Sequence, residues 1–101
     1  MQRQVVLSKT AEIKLDNLLT HLKTNWSENV KLRFISKLEH RLNIVRQKPE
    51  AFPKSEIKKG LFKCVITRQT TMYYTFDENV IYILTFFDNR QDPSILKEEV
   101  I

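Results

Sequence analysis

The strongest constraint on the fold is a change in hydrophobic period near the middle of the chain. Over residues 11–45, apolar side chains recur at the spacing of one face of an α-helix. Over residues 61–87, β-branched and aromatic residues form short runs that suit a pleated sheet. This pattern predicts a helical first half and a β-rich second half.

The helical half divides into two helices. Ser8 and Ser27 are residues of a type that caps helix N-termini, and Pro49 cannot continue a helix. We therefore predict one helix over about 9–24 and a second from Ser27 to near Lys48. Because the connection between them is short, they should form an antiparallel hairpin. The predicted apolar faces contain Ala11, Leu15, Leu18, Leu19, Leu22 and Trp26 in the first helix, and Val30, Phe34, Leu38, Leu42 and Val45 in the second.

The β-rich half predicts three consecutive strands, at 61–67, 70–76 and 80–87, and the apolar run at residues 4–7 predicts another ahead of the helices. The helical hairpin returns the chain to its starting end, so the first strand can join the same sheet. The prediction is an α+β fold of order β-α-α-β-β-β, with an N-terminal helical hairpin packed on one face of a mostly antiparallel sheet. A single domain is expected over residues 1–101.

The connecting and terminal segments are predicted to be less regular. Residues 49–60 contain two prolines and the only glycine and should form a surface loop. The turn at 77–79 lacks glycine, and Asn79 is the residue there that tolerates a left-handed conformation. The acidic end of the chain is predicted to make one helical turn, with Glu98 and Glu99 solvated.

The amino-acid composition excludes several classes of protein. With 101 residues, 42% of them hydrophobic, the chain is long enough to bury a core and is unlike a disordered segment. Its one cysteine, Cys64, cannot form an internal disulfide, which is typical of a reducing compartment. Its one glycine, Gly60, excludes glycine-rich phosphate loops, and no apolar stretch approaches the length of a membrane span. We expect a cytoplasmic protein without membrane contact and without a cofactor.

The net charge of +5 is unevenly distributed along the chain. Nearly all the lysines and arginines lie in residues 1–68, whereas residues 69–101 are acidic. Such a basic surface predicts an acidic protein or a nucleic acid as partner. The candidate partner-binding residues are Arg33, Lys37 and Arg41 on the second helix, Lys54, Lys58 and Lys59 in the loop, and Arg90 after the last strand.

The sequence offers little catalytic chemistry. His21 and His40 fall on different helices without a second histidine at ligand spacing, so no metal site is predicted. Cys64 lies in an alternating strand, where a buried structural thiol is the usual state, although a cysteine–histidine nucleophile pair is formally open. The three tyrosines lie in predicted strands, where core packing is commoner than stacking on bases.

Three segments, in their order and spacing, resemble the RelE/ParE toxin superfamily of bacterial type II toxin–antitoxin systems. They are VVLSKTAEIKLDNLLTHLKTNWS, PEAFPKSEIKKGLFKCVI and NVIYILTFFDNRQDPSIL. The resemblance covers essentially the whole chain, and its most specific part is the last strand running into residues 90–93. It implies a small toxin held inactive by a cognate antitoxin, and contact with operator DNA only through that antitoxin.

Two activities occur within the superfamily. The resemblance implies that RelE-like members cut messenger RNA on the ribosome. Their catalytic residues are lysines on the first strand of the hairpin sheet, an arginine in the next strand, an arginine after the last strand and a C-terminal tyrosine. In this chain Arg90 matches the last arginine, and Lys63 lies near the lysines. Thr71 and Leu96 stand where the other arginine and the tyrosine are expected. Arg68 compensates if the strands are offset.

ParE-like members lack this constellation and poison DNA gyrase through protein contact. Thr71 and Leu96, which replace the expected arginine and tyrosine, favour the ParE-like members. The sequence therefore predicts a toxin that inhibits gyrase and replication and is not an enzyme. Two alternatives stay open. One is a metal-independent endoribonuclease acting on ribosome-bound messenger RNA, with Lys63, Arg68 and Arg90 as its catalytic residues. The other is a binding protein that has lost its toxicity.

Overall fold

A computed structural model describes residues 2–101. Its elements are β1 Gln4–Leu7, α1 Lys9–Asn25, α2 Glu28–Gln47, a 3-10 turn at Pro49–Ala51, β2 Phe62–Val65, β3 Thr70–Phe76, β4 Val80–Asp88 and α3 Pro93–Val100. The strands form one sheet in the order β1-β4-β3-β2, in which β1 runs parallel to β4 and the other neighbours are antiparallel. The predicted α+β class is confirmed, including the return of β1 to the same sheet.

Both predicted N-caps are confirmed, and one of them also attaches α1 to the sheet. The hydroxyl of Ser27 accepts a backbone N–H at the start of α2. The hydroxyl of Ser8 accepts the N–H of Ala11 at 3.0 Å and donates to the carbonyl of Leu84 at 2.7 Å. Leu84 lies where β4 makes a bulge against β3. Ser8 therefore starts α1 and fixes its N-terminus to the irregular point of the central strand.

The main core lies between the α1–α2 hairpin and one face of the sheet. This face is predicted by the alternation of the strands, because successive side chains of a strand point to opposite sides. Its fully or nearly fully buried members are Ala11, Phe34, Leu38 and Val45 from the helices, and Phe62, Cys64, Ile66, Met72, Tyr74, Ile81, Ile83 and Phe86 from the sheet region.

A smaller core lies on the opposite face of the sheet, under α3. Its buried members are Leu61, Tyr73, Phe87, Leu96 and Val100. The prediction of a single helical turn at this end was too short. Asp92 caps the helix by accepting the N–H of Ser94 at 3.0 Å, Pro93 occupies the first turn, and Leu96 and Val100 are spaced to face the sheet together.

The prediction of a left-handed Asn79 was wrong. Among the described residues only Gly60 has a positive φ, of 80°. The turn at 77–79 is built instead by Asp77, whose carboxylate accepts the N–H groups of Asn79 and Val80, both at 2.8 Å. An aspartate that bonds the backbone two and three residues ahead closes the turn without any unusual backbone conformation.

The loop after α2 is tied to the β2 edge of the sheet. Lys54 forms an isolated bridge with Phe62, and the N–H of Lys63 donates to the carbonyl of Pro53 at 2.9 Å. The positive φ of Gly60 allows the tight turn in which the N–H of Leu61 donates to the carbonyl of Lys58. The lysines of the loop are therefore presented beside the edge strand.

Candidate functional site

The structure divides the predicted partner-binding residues into separate groups. The first is a row on α2, in which Arg33 and Lys37 are exposed and Arg41 is half-buried. The Nε–H of Arg41 donates to the carbonyl of Val65, on the open edge of β2, at 3.2 Å. This bond holds Arg41 against the sheet. Arg33 and Lys37 lie nearer the N-terminus of the same helix and line a hollow together with Gln69 of the β2–β3 turn.

The second group is formed by the lysines of the loop and of β2. We call it the lysine surface: Lys54, Lys58, Lys59 and Lys63. All four side chains are exposed, and Lys58 also donates from Nζ to the carbonyl of Val100 at 3.2 Å. Exposed apolar side chains adjoin it, because Ile57 and Ile101 line one shallow hollow together with Lys58. The lysine surface therefore combines positive charge with apolar area.

Arg90 lies apart from both groups, at the end of β4. Its Nε and Nη2 donate to the two carboxylate oxygens of Asp88 at 3.0 and 2.8 Å, and its N–H donates to the same carboxylate at 2.9 Å. The hydrogen bonds from Arg90 hold the pKa of Asp88 below its ordinary value. Asp88 thus orients the guanidinium, which stays 68% exposed.

The three candidate nuclease residues are only partly brought together. The amide of Asn89 donates to the carbonyl of Arg68 at 3.3 Å, so Arg68 and Arg90 flank the same residue at one end of the sheet. Lys63 lies on the edge strand β2 opposite Tyr73, at the midpoint of β3 rather than at that end. Two of the three residues share a location, and the third is several residues away along the strand.

The residues at the positions expected for a strand arginine and a C-terminal tyrosine, Thr71 and Leu96, are buried in the fold. Thr71 is 4% exposed, and its hydroxyl donates to the side-chain oxygen of Asn89 at 3.0 Å. Leu96 is 3% exposed and packs from α3 into the smaller core, with Leu61, Tyr73, Phe87 and Val100. Neither position can offer a group to a substrate without rearrangement of the fold.

The remaining reactive residues are accounted for by packing. Cys64 is fully buried, and this burial raises the pKa of its thiol to about 11, so the thiolate is not the stable form at neutral pH. Tyr74 is fully buried and Tyr73 nearly so, whereas Tyr82 is 39% exposed. Within the described residues no group of histidine, cysteine and carboxylate side chains has the geometry of a metal site. None of the helices described in the structure is long and apolar enough to cross a membrane.

A hollow of about 240 Å³ beside Arg90 is one feature that the sequence did not predict. It lies between α1 and the ends of β3 and β4, and His21 and Trp26 line it together with Arg90. Trp26 was predicted to continue the apolar face of α1, but it is 70% exposed. The reason is that α1 ends at Asn25, so the helical spacing from Leu22 no longer directs the indole into the core.

A second unpredicted feature is a set of side-chain contacts that joins α1, α3 and β4. Lys14 pairs with Glu99 at 2.7 Å, and the other oxygen of Glu99 accepts the hydroxyl of the buried Thr85 at 3.0 Å. The prediction of a solvated Glu99 was therefore wrong, since its side chain is only 14% exposed. No sequence pattern signals this contact, because its three residues come from three elements far apart in the chain.

Comparison with known proteins assigns the chain to a family. Residues 5–93 match the family model described as the ParE toxin of the type II toxin–antitoxin system parDE. This chain belongs to the ParE toxin family. It is accordingly a toxin of the type II toxin–antitoxin class, as the resemblance of the sequence implied. Among curated proteins, none matches the sequence.

Solved structures confirm the fold of this ParE-family toxin. A chromosomal ParDE system from P. aeruginosa matches with a TM-score of 0.69 at 14% identity, covering 86% of this chain and 96% of that chain. A YoeB dimer from Staphylococcus aureus matches with a TM-score of 0.60 at 16% identity, covering 86% and 97%. The DinJ-YafQ toxin–antitoxin complex of E. coli matches with a TM-score of 0.62 at 9% identity, covering 89% and 96%. ParE toxins and other toxins of the superfamily share one architecture.

Proposed function

We propose that this ParE-family toxin acts by binding DNA gyrase and blocking replication, without catalysis of its own. The observation that supports this is the state of Thr71 and Leu96. A metal-free cleavage of RNA needs a base, cations on the scissile phosphate and an acid for the leaving oxygen. The side chains at these two positions are buried and supply neither charge nor an acid. The absence of these two groups supports a toxin that acts through protein contact.

A cognate antitoxin is the second part of the proposal. The matched family and the DinJ-YafQ complex support an antitoxin as the neutralising partner. We assign its acidic segment to the lysine surface, because its four lysines are exposed and one of them, Lys58, lines a hollow together with the exposed Ile57 and Ile101. Carboxylates of the antitoxin would pair with the lysines, while its apolar side chains cover Ile57 and Ile101. Operator DNA is contacted only through this antitoxin.

The experiment that tests the target is induction of the toxin without its antitoxin in a bacterial host. Inhibition of gyrase predicts filamentous cells, an SOS response and intact messenger RNA. With purified components, the toxin should lower the rate at which gyrase supercoils relaxed plasmid, and addition of the antitoxin should restore it. Normal supercoiling at a large excess of toxin would contradict the proposal.

A ribosome-dependent endoribonuclease is the second candidate, and one observation favours it. The backbone of Arg68 and the side chain of Arg90 both lie beside Asn89 at the same end of the sheet, so the structure brings two of the three candidate catalytic residues to one location. This candidate predicts rapid cleavage of transcripts on ribosomes after induction. The variant Arg90→Ala should abolish the cleavage, whereas Lys9→Ala, an exposed lysine at the start of α1, should not. Harmless expression of the unaltered chain would instead indicate a binding protein without toxicity.

A further inference from the structure

The end of the helical hairpin where α1 meets α2 exposes two large apolar side chains. Trp26, in the connection between the two helices, is 70% exposed, and Leu32, in the second turn of α2, is 50% exposed. Neither belongs to the core on either face of the sheet. A single exposed apolar side chain is ordinary on a protein surface, but a continuous patch that combines several of them marks a binding site.

Adjoining hollows connect Trp26 to Leu32 across the surface. The hollow of about 240 Å³ that Trp26 lines is also lined by Gln69 of the β2–β3 turn. Gln69 lines the next hollow, of about 230 Å³, together with Arg33 and Lys37. Arg33 in turn lines a shallow third hollow with Leu32. We call this continuous area the tip surface: Trp26, Leu32, Arg33, Lys37 and Gln69.

The tip surface carries positive charge that is not neutralised from within the chain. Over residues 2–101, neither its guanidinium nor its ammonium group forms an ion pair with a carboxylate. The carboxylate of Asp88 lines the first hollow, but the guanidinium of Arg90 pairs with it at 2.8 Å. Glu28, at the start of α2, pairs with Lys31 at 2.9 Å. A partner that docks here must therefore supply the negative charge itself.

An exposed tryptophan beside unpaired cations is typical of a protein–protein interface. Tryptophan and arginine are enriched among the residues that carry most of the binding energy of such interfaces, and aromatic side chains are enriched at their centres. The aliphatic side chain of Leu32 has no ring face that could stack on a nucleobase. The surface as a whole therefore fits a protein that presents acidic side chains around an apolar depression.

The tip surface is separate from the lysine surface. Gln69 lies in the turn after β2, whereas the loop lysines come before this strand. The four residues of β2 lie between them, which corresponds to about 13 Å of extended chain. An antitoxin anchored on the lysine surface can extend along the sheet edge over this distance and exclude a second partner from the tip surface.

We propose that the tip surface is the face through which the toxin binds DNA gyrase. Trp26 is the apolar anchor, and Arg33 and Lys37 pair with carboxylates of the target. The inference rests on the proposed function and adds to it the surface that makes the contact. It assigns the two partners to two different anchor points, gyrase at the tip of the hairpin and the antitoxin at the loop and β2.

Binding of the purified full-length toxin to immobilised gyrase, in the absence of DNA, tests the apolar anchor. Trp26→Ala should weaken binding about thirtyfold or more, since truncation of a tryptophan at the centre of an interface has effects of this size. Ile13→Ala is the matched control, because it shortens an apolar side chain that is 48% exposed near the start of α1. It should bind as the unaltered chain does.

Charge reversal tests the cations of the tip surface. Arg33→Glu should weaken binding to gyrase about tenfold or more, because like charges then meet at the interface. Lys9→Glu changes the net charge equally at an exposed position outside the tip surface and should have a much smaller effect. All the substituted side chains are exposed, so circular dichroism and the urea midpoint should stay unaltered. The concentration that halves plasmid supercoiling should rise in step with the dissociation constant.

Four results would count against the assignment, and they are distinguishable. Full binding by Trp26→Ala and Arg33→Glu would place gyrase on another face and leave the proposed function intact. Absence of binding and of inhibition by the unaltered chain would overturn the proposed function, and the assignment with it. Equal weakening by Arg33→Glu and Lys9→Glu would reduce the effect of the cations to net charge. Saturable binding of a single-stranded oligonucleotide that Trp26→Ala abolishes, with gyrase binding unaltered, would assign the tip surface to nucleic acid.

Discussion

At the residue scale, the buried hydroxyl of Tyr74 is a contact whose removal has a defined cost. Tyr74 is fully buried, and its hydroxyl donates to the carbonyl of Pro49 at 2.7 Å, joining β3 to the turn after α2. Tyr74→Phe leaves this carbonyl without a partner, so the free energy of unfolding should fall by about 1–3 kcal/mol. Urea denaturation measures it. Tyr82→Phe is the control, because its bond to Asp77 is exposed and should contribute much less. Equal losses would contradict the argument.

Cys64 should be chemically silent in the native protein. Burial raises the pKa of its thiol from the ordinary 9.0 to about 11, so the fold favours the neutral thiol. Its contribution to stability is therefore complete below pH 9 and is lost as the pH rises toward 11. We expect no reaction with a thiol-specific disulfide reagent at pH 8, and one reactive thiol per chain after unfolding in guanidinium. Prompt reaction in the native state would show that the strand opens readily.

At the element scale, α3 should depend on Glu99 more than on its neighbour Glu98. Glu99 connects α3 to Lys14 of α1 and to the buried Thr85 of β4, whereas Glu98 is exposed. Glu99→Ala removes both contacts and leaves a buried hydroxyl without its acceptor, so the amides of α3 should exchange about tenfold faster or more. Glu98→Ala is the matched control and should exchange at the original rate. Hydrogen exchange followed by mass spectrometry resolves the two.

The elements that the sequence predicted well are those that local chemistry determines. The hydroxyls of Ser8 and Ser27 accept backbone N–H groups at the starts of α1 and α2, and Pro49, which has no N–H, cannot continue α2, so the sequence indicates these limits of the helices. The misplacement of Trp26 shows the limit of this approach. The spacing of Trp26 from Leu22 is helical, but α1 ends one residue earlier, at Asn25. The hydrophobic period therefore predicted a buried side chain at a position that lies outside the helix.

The candidate site was harder to predict because it is assembled from distant segments. Arg33, Lys37 and Arg90 stood out as charged residues, but nothing local shows that Gln69 connects two hollows between them. The same holds for Asp88, whose carboxylate orients Arg90 across a turn. Composition indicated which chemistry the surface offers. The sheet order, with β1 beside β4 and β2 at the edge, decides which of these groups meet.

At the scale of the whole molecule, the uneven charge should govern association with the antitoxin. The chain carries +5 overall, although its residues after 68 are acidic, so the positive charge is concentrated on α1, α2, the loop and β2. Charges at the rim of an interface act mainly on the association rate, which falls as salt screens them. Binding of the cognate antitoxin should therefore slow markedly between low and high salt, with a smaller change in dissociation.

The location of the positive charge, and not its sum, should decide how fast the antitoxin binds. Lys54→Glu and Lys9→Glu change the net charge equally, and both side chains are exposed, but only Lys54 belongs to the lysine surface. Lys54→Glu should slow association about tenfold more than Lys9→Glu does, because like charges then meet where the acidic segment docks. Surface plasmon resonance with immobilised antitoxin gives both rates at several salt concentrations. Equal slowing by the two substitutions would mean that the association rate depends on the net charge alone. It would contradict the assignment of the antitoxin to the lysine surface.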